Sequence, residues 1–268
     1  MGCVKSKPIT SRAVAPEGTK KTVPHPCKSK VLVEDDDVTA SSRSILHDLI
    51  DSINKSPSIE AHHGVHVVTK DVASIESIYD GVKDGPVLGY GITGVVRLVT
   101  HKETGTQYAV KYLSLNQIET AQGLAQLREE VGILMQLDHP NVVKLQAVYE
   151  SEDEIYLVQE LCRGGDLFDH LDAQPEDHYS EAQCARLVKQ MLSAVRYIHS
   201  KGIIHRDLKL ENFLFDTADG DSELRMIDFG LSKHFKSGET HHEPVGTRYT
   251  VAPEVLRKTY DEKVDVSI

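Results

Sequence analysis

Five polar residues in one ordered series could do chemistry together in this sequence: Lys111, Glu130, Asp207, Asn212 and Asp228. Asp207 and Asn212 belong to His205-Arg206-Asp207-Leu208-Lys209-Leu210-Glu211-Asn212, and Asp228-Phe229-Gly230 begins 16 residues after Asn212. Two acids and an amide that converge on a polyphosphate need a divalent cation between them, because oxygen ligands and phosphates would otherwise repel. Upstream lies Leu88-Gly89-Tyr90-Gly91-Ile92-Thr93-Gly94-Val95-Val96. Its glycines let backbone N–H groups approach phosphates with no Cβ in the way. By itself a G-x-G-x-x-G match is no more than a glycine hairpin. A dinucleotide loop would open a helix, whereas Val95–Val99 reads on as strand. Lys111 ends an apolar strand 17 residues after Gly94. With a glutamate from the following helix it can hold phosphates in fixed geometry.

The elements that must position these residues are legible from periodicity. Val87, Leu88, Val95, Val96, Leu98 and Val99 among glycines read as a hairpin, and Thr106–Leu113 as a further strand. Residues 119–137 read as a helix, with Leu124, Leu127, Val131, Leu134 and Leu137 at spacings of three and four. Asn141–Tyr149 and Ile155–Gln159 read as strands around the acidic turn Glu150–Glu154. Ser180 with Gln183 forms a capping box that opens a long helix over 181–200. That helix carries the apolar stripe Cys184, Leu187, Val188, Met191, Val195 and Ile198, with Gly202 past its end. Strands dominate the first part and helices the second, which is a two-lobe α+β arrangement rather than a repeating βαβ unit.

The segment around Asp207 and Asn212, then Asp228-Phe229-Gly230, then Ala252-Pro253-Glu254 match H-R-D-L-x-x-x-N, D-F-G and A-P-E in order. The chain thus resembles a protein Ser/Thr kinase. Leu137-Asp138-His139-Pro140-Asn141-Val142-Val143-Lys144-Leu145 and Gly164-Gly165-Asp166-Leu167-Phe168-Asp169 are most similar to the calcium/calmodulin-dependent group, particularly calcium-dependent protein kinases. The resemblance runs from about Tyr79 to the end. It implies a bilobal fold with a small lobe at 85–161 and a partial large lobe at 162–268. It implies ATP and Mg²⁺ as cofactors and protein hydroxyls as acceptors.

Carried over by position, the resemblance places Leu88, Gly89, Gly91, Gly94 and Val96 over the nucleotide, and Lys111 on its phosphates. Glu130 holds Lys111; it is taken over its neighbour Glu129 because Ile133-Leu134 follows it at the spacing of the kinase pattern. Ala109 and Leu214 sandwich adenine, Glu160 and Cys162 form the hinge with Gln159 as gatekeeper, and Asp166 meets the ribose. Asp207 accepts or orients the substrate hydroxyl proton, Lys209 steadies the γ-phosphate, and Asn212 and Asp228 hold Mg²⁺. Gly246-Thr247 matches the substrate-positioning turn, though Arg248 stands where proline is common. Asp166 and Glu211 resemble acids that favour basic residues before the target. In kinases switched by loop phosphorylation, a phosphothreonine pairs with the arginine before the catalytic aspartate. Here Glu243 occupies a position from which a permanent carboxylate can pair with Arg206.

Composition bounds the rest. The 268 residues are 40% hydrophobic with a formal charge of −11, which argues against nucleic-acid binding. No apolar run reaches 18 residues, and the start lacks a secretory signal's apolar stretch, so a cytosolic chain is expected. The four cysteines (Cys3, Cys27, Cys162 and Cys184) form no metal or disulfide pattern. His62, His63, His66 and His241-His242 lack ligand-spaced partners and read as solvated. Residues 1–30 hold seven basic side chains and one acid, leaving −17 on the remainder of a chain whose total is −11. Residues 1–58 read as a disordered arm with one short helix at Ile45–Ile53, and 59–84 as a link. Met1-Gly2-Cys3-Val4-Lys5-Ser6 fits myristoylation at Gly2, and Cys3 is a palmitoylation candidate. With the basic arm these features point to a membrane surface.

Kinases of this group usually read D-V-W-S-I-G-V where this chain has Asp265-Val266-Ser267-Ile268. The helices expected next would cover part of the long helix's stripe, which is expected to stay exposed without them. Asp265 resembles the aspartate that buttresses the catalytic loop. Two functions follow: a membrane-tethered Ser/Thr kinase, or a catalytically impaired nucleotide-binding or scaffold protein.

Overall fold

The computed structural model describes residues 66–69, 73–90, 94–118, 120–151, 153–175, 178–219 and 222–267. Gly2, Cys3, the basic arm, the Ile45–Ile53 helix and Gly91 lie outside the described residues.

The first half is built on a seven-stranded sheet. Its strands are β1 (His66–Thr69), β2 (Tyr79–Asp80), β3 (Val87–Tyr90), β4 (Val95–His101), β5 (Gln107–Ser114), β6 (Leu145–Glu150) and β7 (Glu154–Glu160). The order is β1-β6-β7-β5-β4, with β2 and β3 both pairing β4. All these pairings are antiparallel except β1 with β6. The alternation of side chains along a strand sorts the residues of this sheet. On β5, Tyr108, Val110 and Tyr112 join an outer cluster with Val99, Tyr156 and Val158. Leu113 joins the inner core with Ile155 and Leu157. Ala109 and Lys111 share the parity of Leu113 and therefore point to the inner side. A close approach makes Gly94 obligatory: a Cβ there would lie 1.8 Å from the Tyr112 carbonyl oxygen of β5.

Within the stretch read as a link, the described residues 66–69 and 73–84 also fold. Between β1 and β2 runs the short helix α1 (Ala73–Ile78), and Ile75, Tyr79 and Val82 fill the outer cluster. Tyr79 meets Tyr108, Tyr149 and His101 edge-on. Residues 66–80 thus contribute strands to the sheet at β6 and at β4. The strand expected over Asn141–Tyr149 begins at Leu145, because Asn141–Lys144 bonds elsewhere: Val143 N–H donates to Met226 O at 2.9 Å, and Met226 N–H to Asn141 O at 2.9 Å.

Helix α2 (Ala121–Leu134) starts at Thr120, whose hydroxyl accepts the Gly123 N–H at 3.0 Å. Leu127, Val131 and Leu134 are buried in the inner core. After β7 come α3 (Leu167–Asp172) and α4 (Glu181–Ser200), the latter opened by the complete Ser180–Gln183 capping box. Gly202 follows at φ +70°, the left-handed conformation that ends helices. Leu187, Val195 and Ile198 of its stripe are buried, whereas Val188 and Cys184 are exposed, as is Leu192.

Two short strand pairs carry the loops: the hairpin of β9 (Phe213–Phe215) with β10 (Leu224–Met226), and the flanking pair of β8 (Ile203–Ile204) with β11 (Lys233–His234). The chain then passes through α5 (Pro253–Leu256) and a 3₁₀ turn at Glu262–Val266. A third cluster, Ile204, Ala252, Val255, Tyr260 and Val264, packs these last elements against β8. The inner core runs without a break from Leu113 and α2 through α4 to Phe213, Phe215 and Phe229. The loop after α2 joins the halves: Asp138 N–H donates to the Tyr197 hydroxyl at 2.8 Å, and His139 stacks on Tyr197.

Candidate active site

Lys111 is 4% exposed, and its Nζ lies 2.5 Å from Glu130 Oε1 and 3.4 Å from Asp228 Oδ1. Burial alone would lower the lysine's pKa, but the two carboxylates outweigh it and the net shift is upward. Burial likewise pushes Asp228 up, yet Lys111, His205 and the Gly230 N–H hold it below the usual carboxylate range. Lys111 and Asp228 thus remain charged together. Glu129 turns to the other side of the choice made from sequence: its Oε1 accepts the His234 N–H and contacts His234 Nδ1, both at 2.8 Å. Gln126 Nε2 donates to the Gly230 carbonyl at 2.5 Å. Gln126, Glu129 and Glu130 are spaced i, i+3, i+4, so one face of α2 grips β5 and the segment after Asp228. Only Glu130 was singled out in the sequence; the spacing of the other two was the available signal.

Asp207 is 5% exposed and sits in a polar cluster. Its Oδ1 accepts the Thr247 hydroxyl at 2.6 Å, and its Oδ2 lies 3.0 Å from Lys209 Nζ. Lys209 also donates to Thr247 Oγ1 at 2.9 Å. Asn212 Nδ2 donates to the Asp207 carbonyl at 2.8 Å, which leaves its amide oxygen as a ligand atom. Ile227 N–H donates to Asn212 O at 2.9 Å, so the β9–β10 hairpin sets Asn212 beside the start of Asp228. Asp228 takes its contacts from Lys111 and Gly230 on Oδ1, which leaves Oδ2. Two hard oxygen ligands beside a buried lysine suit a magnesium ion that keeps water and phosphate in its remaining positions. Among the described residues, no cluster of three or more His, Cys, Asp or Glu side chains forms a separate metal centre.

The remaining predicted contacts line the inner side of the sheet and the loop joining the two halves. Val96 pairs Lys111 across β4–β5, and Ala109 pairs Gln159 across β5–β7. Leu88 is 48% exposed at the edge of β3. Gly89 has no atom within 4 Å of the place a Cβ would occupy. Leu214 is half-buried between the fully buried Phe213 and Phe215, and it bridges Asp166. One oxygen of Asp166 caps α3 through the Asp169 N–H. Gly164 must be glycine, because a Cβ would lie 2.1 Å from the Thr217 carbonyl oxygen.

Glu160 accepts the Lys144 N–H at 2.9 Å and pairs with Arg225 Nε at 3.2 Å, a tie that periodicity does not reveal. Burial raises the Cys162 thiol to about 12, helped by Glu160 and Asp216, so it is a protonated packing group.

Backbone strain marks the same residues. Arg206 and Asp228 have φ of +68° and +58°, unusual for side chains with a Cβ. Asp265 secures the first of them. Its buried carboxylate accepts the N–H groups of His205 and Arg206 at 2.8 Å each and contacts His199 Nε2 at 2.8 Å. His205 Nδ1 lies 3.3 Å from the Asp207 backbone nitrogen, and its Nε2 lies 3.1 Å from the Ile227 carbonyl oxygen.

Glu243 lies where the sequence placed it. Its Oε2 is 3.5 Å from Arg206 Nη1, and its Oε1 is 2.5 Å from Lys233 Nζ. The bond from Lys233 outweighs burial, and the carboxyl falls to about 2. Its contribution is therefore complete above the ordinary glutamate value and is lost only as pH falls through about 2. The paired histidines depart from expectation. His242 is exposed, but His241 is 3% exposed, packs on Tyr260, and exchanges backbone hydrogen bonds with it. Burial first, then Lys233, lowers its pKa, so it is a neutral core residue.

With this geometry in place, the kinship is plain. The family described as protein kinase domain matches residues 82–267, so the chain belongs to the protein kinase family. Its catalytic domain is similar to those of calcium-dependent protein kinases. It is 44% identical over 183 residues to calcium-dependent protein kinase 7 of Arabidopsis thaliana, covering 68% of this chain and 34% of that protein. It is 41% identical over 201 residues to calcium-dependent protein kinase 2 of Oryza sativa subsp. japonica, covering 75% and 38%. The chain thus spans about a third of the length of these curated relatives.

Asp265→Ala is expected to lower stability by about 2–5 kcal/mol, since it strands two backbone N–H groups and a histidine. A urea unfolding midpoint equal to that of the parent chain would contradict this.

Proposed function

We propose that this chain transfers the γ-phosphoryl group of ATP to Ser or Thr hydroxyls of proteins. The observation that carries the reading is the pairing of two assemblies, Lys111–Glu130–Asp228 and Asp207–Lys209–Thr247, on the Asn212–Asp228 hairpin. Lys111, fixed by Glu130, binds the non-transferred phosphates. Asp228 and the amide oxygen of Asn212 hold Mg²⁺, which neutralises phosphate charge when bound. Asp207 orients the incoming hydroxyl and accepts its proton through Oδ1, where Thr247 Oγ1 now donates. Lys209 lies 3.0 Å from the other oxygen and meets the developing phosphoryl charge. Leu88, Gly89, Gly94, Val96, Ala109, Cys162, Asp166 and Leu214 bound the nucleotide's base, ribose and phosphates.

The Asp265 clamp and the cluster around Tyr260 and Val264 order the catalytic loop within these residues. That ordering favours phosphotransfer over the alternative of a catalytically impaired nucleotide-binding or scaffold protein. Lys111→Met is expected to lower kcat/KM at least about 100-fold, the scale of losing one preorganised charge. Equal background from both proteins in a radiolabelled ATP assay would favour the scaffold.

The activation segment needs no phosphate in this reading, because Glu243 supplies the anion that Arg206 and Lys233 require. Glu243→Ala is expected to cut activity about twofold to fivefold, consistent with the loss of a partly exposed charge pair. Undiminished activity would refute the idea.

Myristate at Gly2, a second acyl chain at Cys3 and the basic arm tether the protein to the cytosolic face of a membrane. One acyl chain binds only marginally, so two signals are needed. Gly2→Ala is expected to move the protein to the soluble fraction; retention on membranes would sink the reading.

A further inference from the structure

We propose that Tyr249 is a specificity-determining residue: its phenol holds the Glu211 carboxylate, and a cationic substrate side chain has to displace it. The inference deepens the phosphotransfer reading and rests on it. Glu211 lies in the 3₁₀ turn Leu210–Asn212, between Lys209 and Asn212, and both neighbours contact Asp207. Its half-buried carboxylate is thus held close to the reacting position. A carboxylate facing solvent there is a natural seat for a guanidinium, which can meet both oxygens at once.

That seat is occupied. The Tyr249 hydroxyl donates to Glu211 Oε1. The backbone around Tyr249 is set by the catalytic residues themselves. Thr247 is pinned to Asp207 and Lys209, and the N–H groups of Thr250 and Val251 donate to the Thr247 carbonyl at 3.0 and 2.8 Å. The ring has no such support, being 72% exposed. A ring left in water gains little from apolar burial, so the hydroxyl–carboxylate bond is what orients this side chain. Glu211 through that bond, then through its charge together with Asp207, raises the phenol's pKa. The phenol therefore remains a donor at neutral pH.

The competition is between a neutral hydroxyl and a full cation. One O–H satisfies one acceptor direction of the carboxylate, whereas a guanidinium satisfies two and neutralises the charge. A substrate with an uncharged residue at this point leaves the tyrosine in place. A substrate with arginine gains the ion pair but loses the phenol bond. Tyr249 therefore reduces the preference for cationic substrates without abolishing it.

Tyr249→Phe keeps the ring and removes only the hydroxyl. The readout is kcat/KM for serine peptides that carry arginine or alanine at each position preceding the serine. The arginine-to-alanine ratio is expected to rise about threefold to tenfold in the variant, the scale of one solvent-accessible charge-assisted hydrogen bond. In a Glu211→Gln background the same change is expected to leave the ratio level. A ratio that is unchanged or lower in Tyr249→Phe overturns the proposal. If the parent chain phosphorylates none of the peptides, the phosphotransfer reading has failed. Fluorescence-anisotropy affinities for the same peptides then decide the point: a higher arginine preference in Tyr249→Phe supports the gate, and an equal one removes it.

Discussion

A lysine ammonium buried between two carboxylates is the constraint around which this structure is arranged. Moving a charge such as that of Lys111 out of water costs several kcal/mol, and only well-placed opposite charges offset that. Glu130 and Asp228 supply them, one from α2 and one from the segment after β10. Loss of either leaves the buried cation with one carboxylate in place of two. The position of α2 against β5 and that of the segment beginning at Asp228 are thereby coupled. Gln126 and Glu129 extend the coupling to Gly230 and His234.

Around this pair the backbone is held in conformations that its residues would not choose. Positive φ at Arg206 and Asp228 places strain next to Asp207 and at Asp228 itself, and such strain persists only where neighbours over-determine it. Asp265 does this at Arg206 with two backbone hydrogen bonds, and the inner core does it at Phe229, which is 1% exposed against His205. Arg206 in turn reaches Leu231, Glu243 and Tyr260, so the activation segment is joined to the strained loop through one guanidinium. The electrostatics of the loop and the geometry of Asp207 are parts of one network.

Much of this was legible before any coordinates. Helical spacing placed α2 and α4 to within a few residues, and the capping box at Ser180 marked the start of α4 because its hydrogen bonds are local. The resemblance to the kinase pattern distinguished Glu130 from Glu129 and implied the proximity of Glu243 to Arg206. The strands of residues 66–80 were not legible, since two- and four-residue strands carry too little pattern and are stabilised by a sheet built from distant residues. His241 was misread as solvated because its burial depends on Tyr260, nineteen positions away, and not on its own neighbours. The ties of Arg225 to Glu160 and of Tyr249 to Glu211 are likewise long-range pairs between common surface residue types.

By itself, the sequence determined which residue types are proposed for the chemistry, their order, and the local elements that carry them. Those properties rest on motif spacing, periodicity and caps, all of which act within a few residues of the chain. Only the tertiary structure decided which side chains share a charge, which polar groups lie out of water, and which carboxylates are already occupied. These depend on distance through space and on the dielectric environment, and chain position specifies neither. Tyr249 and Glu211 are separated by 38 positions, yet a single hydrogen bond joins them.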